Sequence, residues 1–112
     1  MSERYVSFLL AGNPYCVPLE SVMEILRQES VVPAPVAMRD VVGVISLRGE
    51  VIPVVDLRAR LGLSTDRRAA KRRVVVVQYG RRLYGLLVDE VSEIGDAPIN
   101  ELDVPALFAA GT

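Results

Sequence analysis

An internal repeat constrains this chain more than any other feature. Sliding the 112 residues along themselves by 69 positions lays residues 4–25 over residues 73–94. Arg4/Arg73, Val6/Val75, Tyr15/Tyr84, Val22/Val91, Glu24/Glu93 and Ile25/Ile94 then coincide, and both copies close on Val-x-Glu-Ile. Val17/Leu86, Leu19/Val88 and Glu20/Asp89 are conservative pairs. Short apolar runs punctuated by Gly, Pro and charge read as strands, so each copy is expected to be a hairpin followed by a short helix. In the first copy Val6, Phe8 and Leu10 share one face, Ala11-Gly12-Asn13-Pro14 supplies a turn, and residues 15–17 return. Pro18 suits a first helical turn, and Leu19, Val22, Met23 and Leu26 follow at helical spacing. In the second copy residues 74–77 are four consecutive valines, as in a strand buried on both faces. Residues 79–82 turn the chain, residues 83–88 return, and residues 90–94 read as another short helix.

A second hairpin lies between the copies. Residues 41–47 and 50–55 flank Arg48-Gly49, a two-residue loop whose Gly can take positive φ. Pro53 cannot donate to a ladder and argues for an edge strand or a bulge. Asp56 is placed to cap a short helix ending at Gly62, and residues 64–72 read as a charged surface loop. The repeat offset carries Gly43, which opens this hairpin, to position 112. One domain over 1–112 is therefore expected, with a first unit at 4–63, an incomplete second unit at 73–94 and a tail at 95–112. A half-built barrel would leave backbone groups unpaired at its edge, to be covered by residues 97–110 folding back or by a second molecule.

Composition narrows the function classes. Thirteen Lys+Arg against fourteen Asp+Glu leave a net charge of −1, so no global field favours nucleic acid or membrane. No apolar run approaches a membrane span of about 18 residues, and Met1-Ser2-Glu3-Arg4 lacks the build of a signal peptide. Histidine is absent, which removes the commonest general base and metal ligand, and the single Cys16 fits a reducing cytoplasm better than a disulfide framework. Cys16 has no base to activate it and reads as a small buried thiol. Asp56 and Asp89 could be drawn as a hydrolase's carboxylate pair, yet both suit helix caps. Neither a catalytic set, a cofactor cradle nor a metal site is expected.

The segment Gly43-Val44-Ile45-Ser46-Leu47-Arg48-Gly49-Glu50-Val51-Ile52-Pro53-Val54-Val55-Asp56-Leu57-Arg58 resembles the Gly-Val-x-Asn-Leu-Arg-Gly-x-x-x-Pro-x-x-Asp-Leu signature of CheW-like domains, the coupling modules of bacterial chemosensory arrays. Val22-Met23-Glu24-Ile25 and Gly85-Leu86-Leu87-Val88-Asp89-Glu90-Val91 support it, and Ser46 departs from the usual Asn. The resemblance implies a mainly β fold, a pair of small SH3-like or OB-like β-barrels with short helices. Here the second barrel would lack its final hairpin and C-terminal helix. It extends to short relatives such as the CheW-like protein of the Frizzy gliding-motility pathway. By resemblance the partner is the cytoplasmic tip of a methyl-accepting chemoreceptor, held in a groove between the barrels at Val22, Glu24, Gly43, Arg48, Val88 and Val91. Contact with a histidine kinase's regulatory domain is put in question by the shortened second half. Other CheW-like proteins are further candidate partners, and the location is cytoplasmic, at chemosensory arrays. A second class rests on Arg67, Arg68, Lys71, Arg72 and Arg73, a basic run that could bind nucleic acid or another polyanion. No aromatics interleave for base stacking, so a solvated loop is the simpler reading.

Overall fold

The computed structural model describes residues 3–34, 40–63 and 71–109. β1 (Tyr5–Leu10) and β2 (Asn13–Pro18) form the first hairpin, turning at Ala11 and Gly12, both with positive φ. The expected helix behind Pro18 is a single 3-10 turn at Leu19–Ser21, after which the chain becomes a strand, β3 (Val22–Arg27). The second copy repeats this with β6 (Arg73–Tyr79), β7 (Arg82–Val88) and β8 (Glu90–Gly95), so the helix expected over residues 90–94 is also a strand.

The two copies exchange these third strands. β3 pairs antiparallel with β6, and β8 pairs antiparallel with β1. The repeat survives at the level of register: Val22 lies opposite Val77, and its equivalent Val91 lies opposite Phe8. Ile25 faces Val75 as Ile94 faces Val6. Even the bulges coincide, one passing over Met23 and the other over its equivalent Ser92. The result is two sheets, β2-β1-β8 and β3-β6-β7-β5-β4, with a mainly β fold as expected.

β4 (Val41–Leu47) and β5 (Glu50–Asp56) are the second hairpin, closed by Arg48 and Gly49 at φ 53° and 80°. Two successive positive φ values match the right-handed twist of the flanking strands. β5 is an interior strand, but its parallel ladder to β7 begins only at Val54. Pro53 is thereby spared a donor role, and the bulge falls in β4 between Val41 and Gly43. Val32 exchanges two backbone hydrogen bonds with Val44, at 2.8 and 2.9 Å, which brings the continuation of β3 against β4. Asp56 caps α1 (Leu57–Arg60), its carboxylate accepting from the Arg58 backbone N–H at 3.1 Å, and Gly62 follows at φ 72°.

The four valines of β6 are fully buried and divide between two cores. Val75 and Val77 face the central core between the sheets with Val6, Phe8, Leu10, Val55 and Leu86. Val74 and Val76 face a smaller core roofed by the β4–β5 hairpin, with Ile45, Ile52, Val54 and Leu87. Each such burial is worth about 1.5–3 kcal/mol, which is why these runs specify strands so firmly. The segment after Gly95, which reads as a patternless tail, ends in a helix, α2 (Val104–Ala109), that puts Val104 and Phe108 into the central core. Phe108 packs on Tyr84 with ring centroids 4.3 Å apart.

Candidate functional site

Val22, the first residue of β3, and Val91, the second of β8, are half-buried, and both pack on the central core from the edges of different sheets. Glu24 lies beyond the first bulge and is exposed, as is its equivalent Glu93. Ile25 and Ile94 are 42% and 50% exposed, although each sits opposite a buried valine of the neighbouring strand. Their identity in the two copies could have marked them, but apolar residues in a strand are first assigned to the core.

The other expected site residues play mixed roles. Val88 is 1% exposed and belongs to the central core. Gly43 is buried because the backbone needs its space: a Cβ there would stand 2.4 Å from the Val32 carbonyl oxygen and 2.9 Å from Val31 Cγ1. Arg48 is exposed at the hairpin tip, and among the described residues neither it nor Glu24 has an ion-pair partner. Ser46 is exposed on β4, opposite the 70%-exposed Val51. The structure thus leaves Val22, Val91, Glu24 and Arg48 accessible, and makes Gly43 and Val88 packing residues.

Behind β8 lies a buried ion pair that the cap reading of Asp89 misses. Asp89 is followed by a strand, so it caps no helix. Its carboxylate instead accepts from Arg58 Nε at 2.8 Å and from the Ala11 backbone N–H at 2.8 Å. Arg58 and Asp89 are 8% and 9% exposed, and join the α1 helix, the β1–β2 turn and the β7–β8 corner. Burial alone would push the Asp89 carboxyl up, but the Arg58 and Ala11 hydrogen bonds, with the charges of Arg58 and Arg72, hold it below its usual range. Asp56 and Asp89 are therefore both engaged by Arg58, one at its backbone and one at its side chain.

The described part of the basic run, Lys71, Arg72 and Arg73, does not form one exposed surface. Arg67 and Arg68 fall outside the described residues. Arg72 is 6% exposed, Arg73 lies half-buried in β6 and donates to the Arg72 carbonyl, and exposed Lys71 is 3.7 Å from Glu90. Cys16 is fully buried, as its setting on a strand suggested, and burial pushes its thiol pKa up. No helix of the described residues is long and apolar enough to cross a membrane.

The model of the CheW-like domain matches residues 4–111. The chain belongs to this family. It is 39% identical over 92 residues to Chemotaxis protein CheW of Rhizobium meliloti, covering 82% of this chain and 59% of that protein. It is 33% identical over 105 residues to Protein FrzA of Myxococcus xanthus, covering 94% and 66% respectively. The crystal structure of the scaffolding protein TtCheW from Thermoanaerobacter tengcongensis is similar at a TM-score of 0.77 and 32% identity, over 89% of this chain and 67% of that one. The chain spans about three fifths of the length of curated relatives such as the Rhizobium protein.

Proposed function

We propose that this protein is a non-enzymatic adaptor of a bacterial chemosensory system, acting in the cytoplasm by docking on the helical cytoplasmic tip of a chemoreceptor. The observation that carries the reading is the pair of equivalent strand edges, β3 and β8, in a CheW-like domain. Each offers a half-buried valine, an exposed isoleucine and an exposed glutamate in the same order. An antiparallel helical hairpin presents apolar side chains at i, i+3 and i+4, and lies in a groove with apolar walls and a charged rim. Val22, Ile25, Val91 and Ile94 supply the walls, and Glu24, with Arg48 at the hairpin tip, supplies rim charge that sets register. Gly43 and Val88 are packing residues of the fold and not part of these walls.

The test is binding of a receptor's cytoplasmic fragment to the parent chain and to Ile25→Asp and Ile94→Asp variants. A desolvated apolar anchor typically contributes about 2 kcal/mol or more, so each variant should weaken binding by well over tenfold while melting like the parent. Folded variants that bind like the parent would refute the groove.

A further inference from the structure

By the repeat, Cys16 of β2 is the equivalent of Gly85 of β7. Val54 of β5 lies beside Gly85 in a parallel ladder, and Glu101 lies beside Cys16 in a parallel bridge. The Leu102 N–H donates to the Cys16 carbonyl at 3.0 Å, the Cys16 N–H to the Asn100 carbonyl at 3.4 Å, and the Asn100 side-chain amide to the Pro14 carbonyl at 2.8 Å. The helices behind these two segments also correspond. Asp56 caps α1 and fully buried Leu57 opens it; the Asp103 carboxylate accepts from the Ala106 N–H at 3.3 Å, and fully buried Val104 opens α2. Leu57 and Val104 enter the same central core.

We propose that residues 100–109 are the second copy's own counterpart of β5 and α1, closing the three-stranded sheet within the chain and sealing its β2 edge against strands from another molecule. The sequence of β2 agrees with this. Cys16 directs its N–H and C=O away from β1, so Pro14 and Pro18, two positions to either side, also face outward. Neither proline has an N–H, which leaves Cys16 as the one outward donor of this edge, and the tail already takes it. On β7 the equivalent positions are Leu83, Gly85 and Leu87, all able to donate, and there β5 adds as a strand. The face that the β4–β5 hairpin roofs differs in the same sense. In the five-stranded sheet it carries Met23, Leu26, Val74, Val76, Leu83 and Leu87. Their equivalents are Ser92, Gly95, Tyr5, Ser7, Pro14 and Pro18, which offer an aliphatic hairpin little to bury against.

Cys16, the chain's only cysteine and fully buried under this segment, reports on the closure directly. The experiment measures native-state labelling of the full chain by a water-soluble aromatic disulfide, with thermal melts and light scattering on the same samples. The parent should be a monomer whose thiol labels at least about 100-fold more slowly than in denaturant. Leu102→Pro removes the N–H given to Cys16, and should raise the native rate about tenfold or more with β structure retained. Should that variant fail to fold, Asn100→Ala and Phe108→Ala, which loosen the two ends of the segment, are expected to accelerate labelling in the same direction. The proposal is overturned if the native parent labels at the denatured rate. It is equally overturned if the folded variants label no faster than the parent, or if the parent dimerises and Cys16 modification dissociates the dimer.

Discussion

Replacing Gly43 by alanine should destabilise the protein through the closure of β3 onto β4. An added Cβ would stand 2.4 Å from the Val32 carbonyl oxygen and 3.0 Å from the Val32 carbonyl carbon, and backbone has no rotamer with which to give way. That same oxygen accepts the Val44 N–H at 2.9 Å, and the Val32 N–H donates to Val44 at 2.8 Å. Relieving the clash separates the two segments and stretches both bonds. Overpacking a tight site costs about 1–3 kcal/mol, and each backbone hydrogen bond lost adds about 0.5–1.5 kcal/mol. A total of about 2–6 kcal/mol is a large share of the stability of a domain this size, typically about 5–15 kcal/mol. At roughly 4–8 °C per kcal/mol, the melting temperature should fall by at least about 8 °C. Urea and thermal unfolding followed by circular dichroism measure this, and hydrogen exchange at Val32 and Val44 locates it. Unchanged midpoints, with both amides still protected, would refute the reasoning.

Arg58→Met should cost about 3–5 kcal/mol, because it strands the Asp89 carboxylate without its buried partner; urea unfolding of the variant measures it. The pair also sets an acid limit. Asp89 titrates below its ordinary 3.8 in the folded state, so its contribution is present above that value and is lost as pH falls through the lower, folded one. The stability gap between the parent and Asp89→Asn should accordingly shrink below about pH 4, and a gap constant with pH would show that the carboxylate is not held by charge. Neutralising Lys71 and Arg73 should leave partner binding and its modest salt dependence unchanged; a steep fall of affinity between low and moderate salt would instead favour the polyanion reading.

The β4–β5 hairpin, the Asp56 cap and the valine strand were legible because each is fixed by a short local pattern: a two-residue Gly turn, a capping carboxylate, four consecutive β-branched residues. β3 was not. Its apolar residues Val22, Met23 and Leu26 imitate helical spacing because a bulge at Met23 shifts the strand's phase, sending Val22 to the central core and Met23 and Leu26 to the smaller one. α2 escaped notice because Pro105 reads as a breaker, although proline is tolerated in a first turn and Asp103 stands in front of it as a cap. The exchange of β3 and β8 between the copies lies beyond local pattern altogether, since alternation chooses a strand but not its partner. The same limit applied to the site. The family signature picked out Gly43 and Val88, but only the packing shows Gly43 closed under Val32 and Val88 in the central core, with Ile25 and Ile94 left exposed.

The most direct test of the adaptor reading is calorimetric titration of the full chain, in parallel, against a receptor's cytoplasmic fragment and a histidine kinase's regulatory domain. The account predicts saturable binding to the receptor fragment, weakened by Glu24→Lys and by Arg48→Asp through slower association, with the kinase domain as the parallel comparison. A folded chain that leaves the receptor fragment unbound, or that binds it equally well when both charges are reversed, would contradict it.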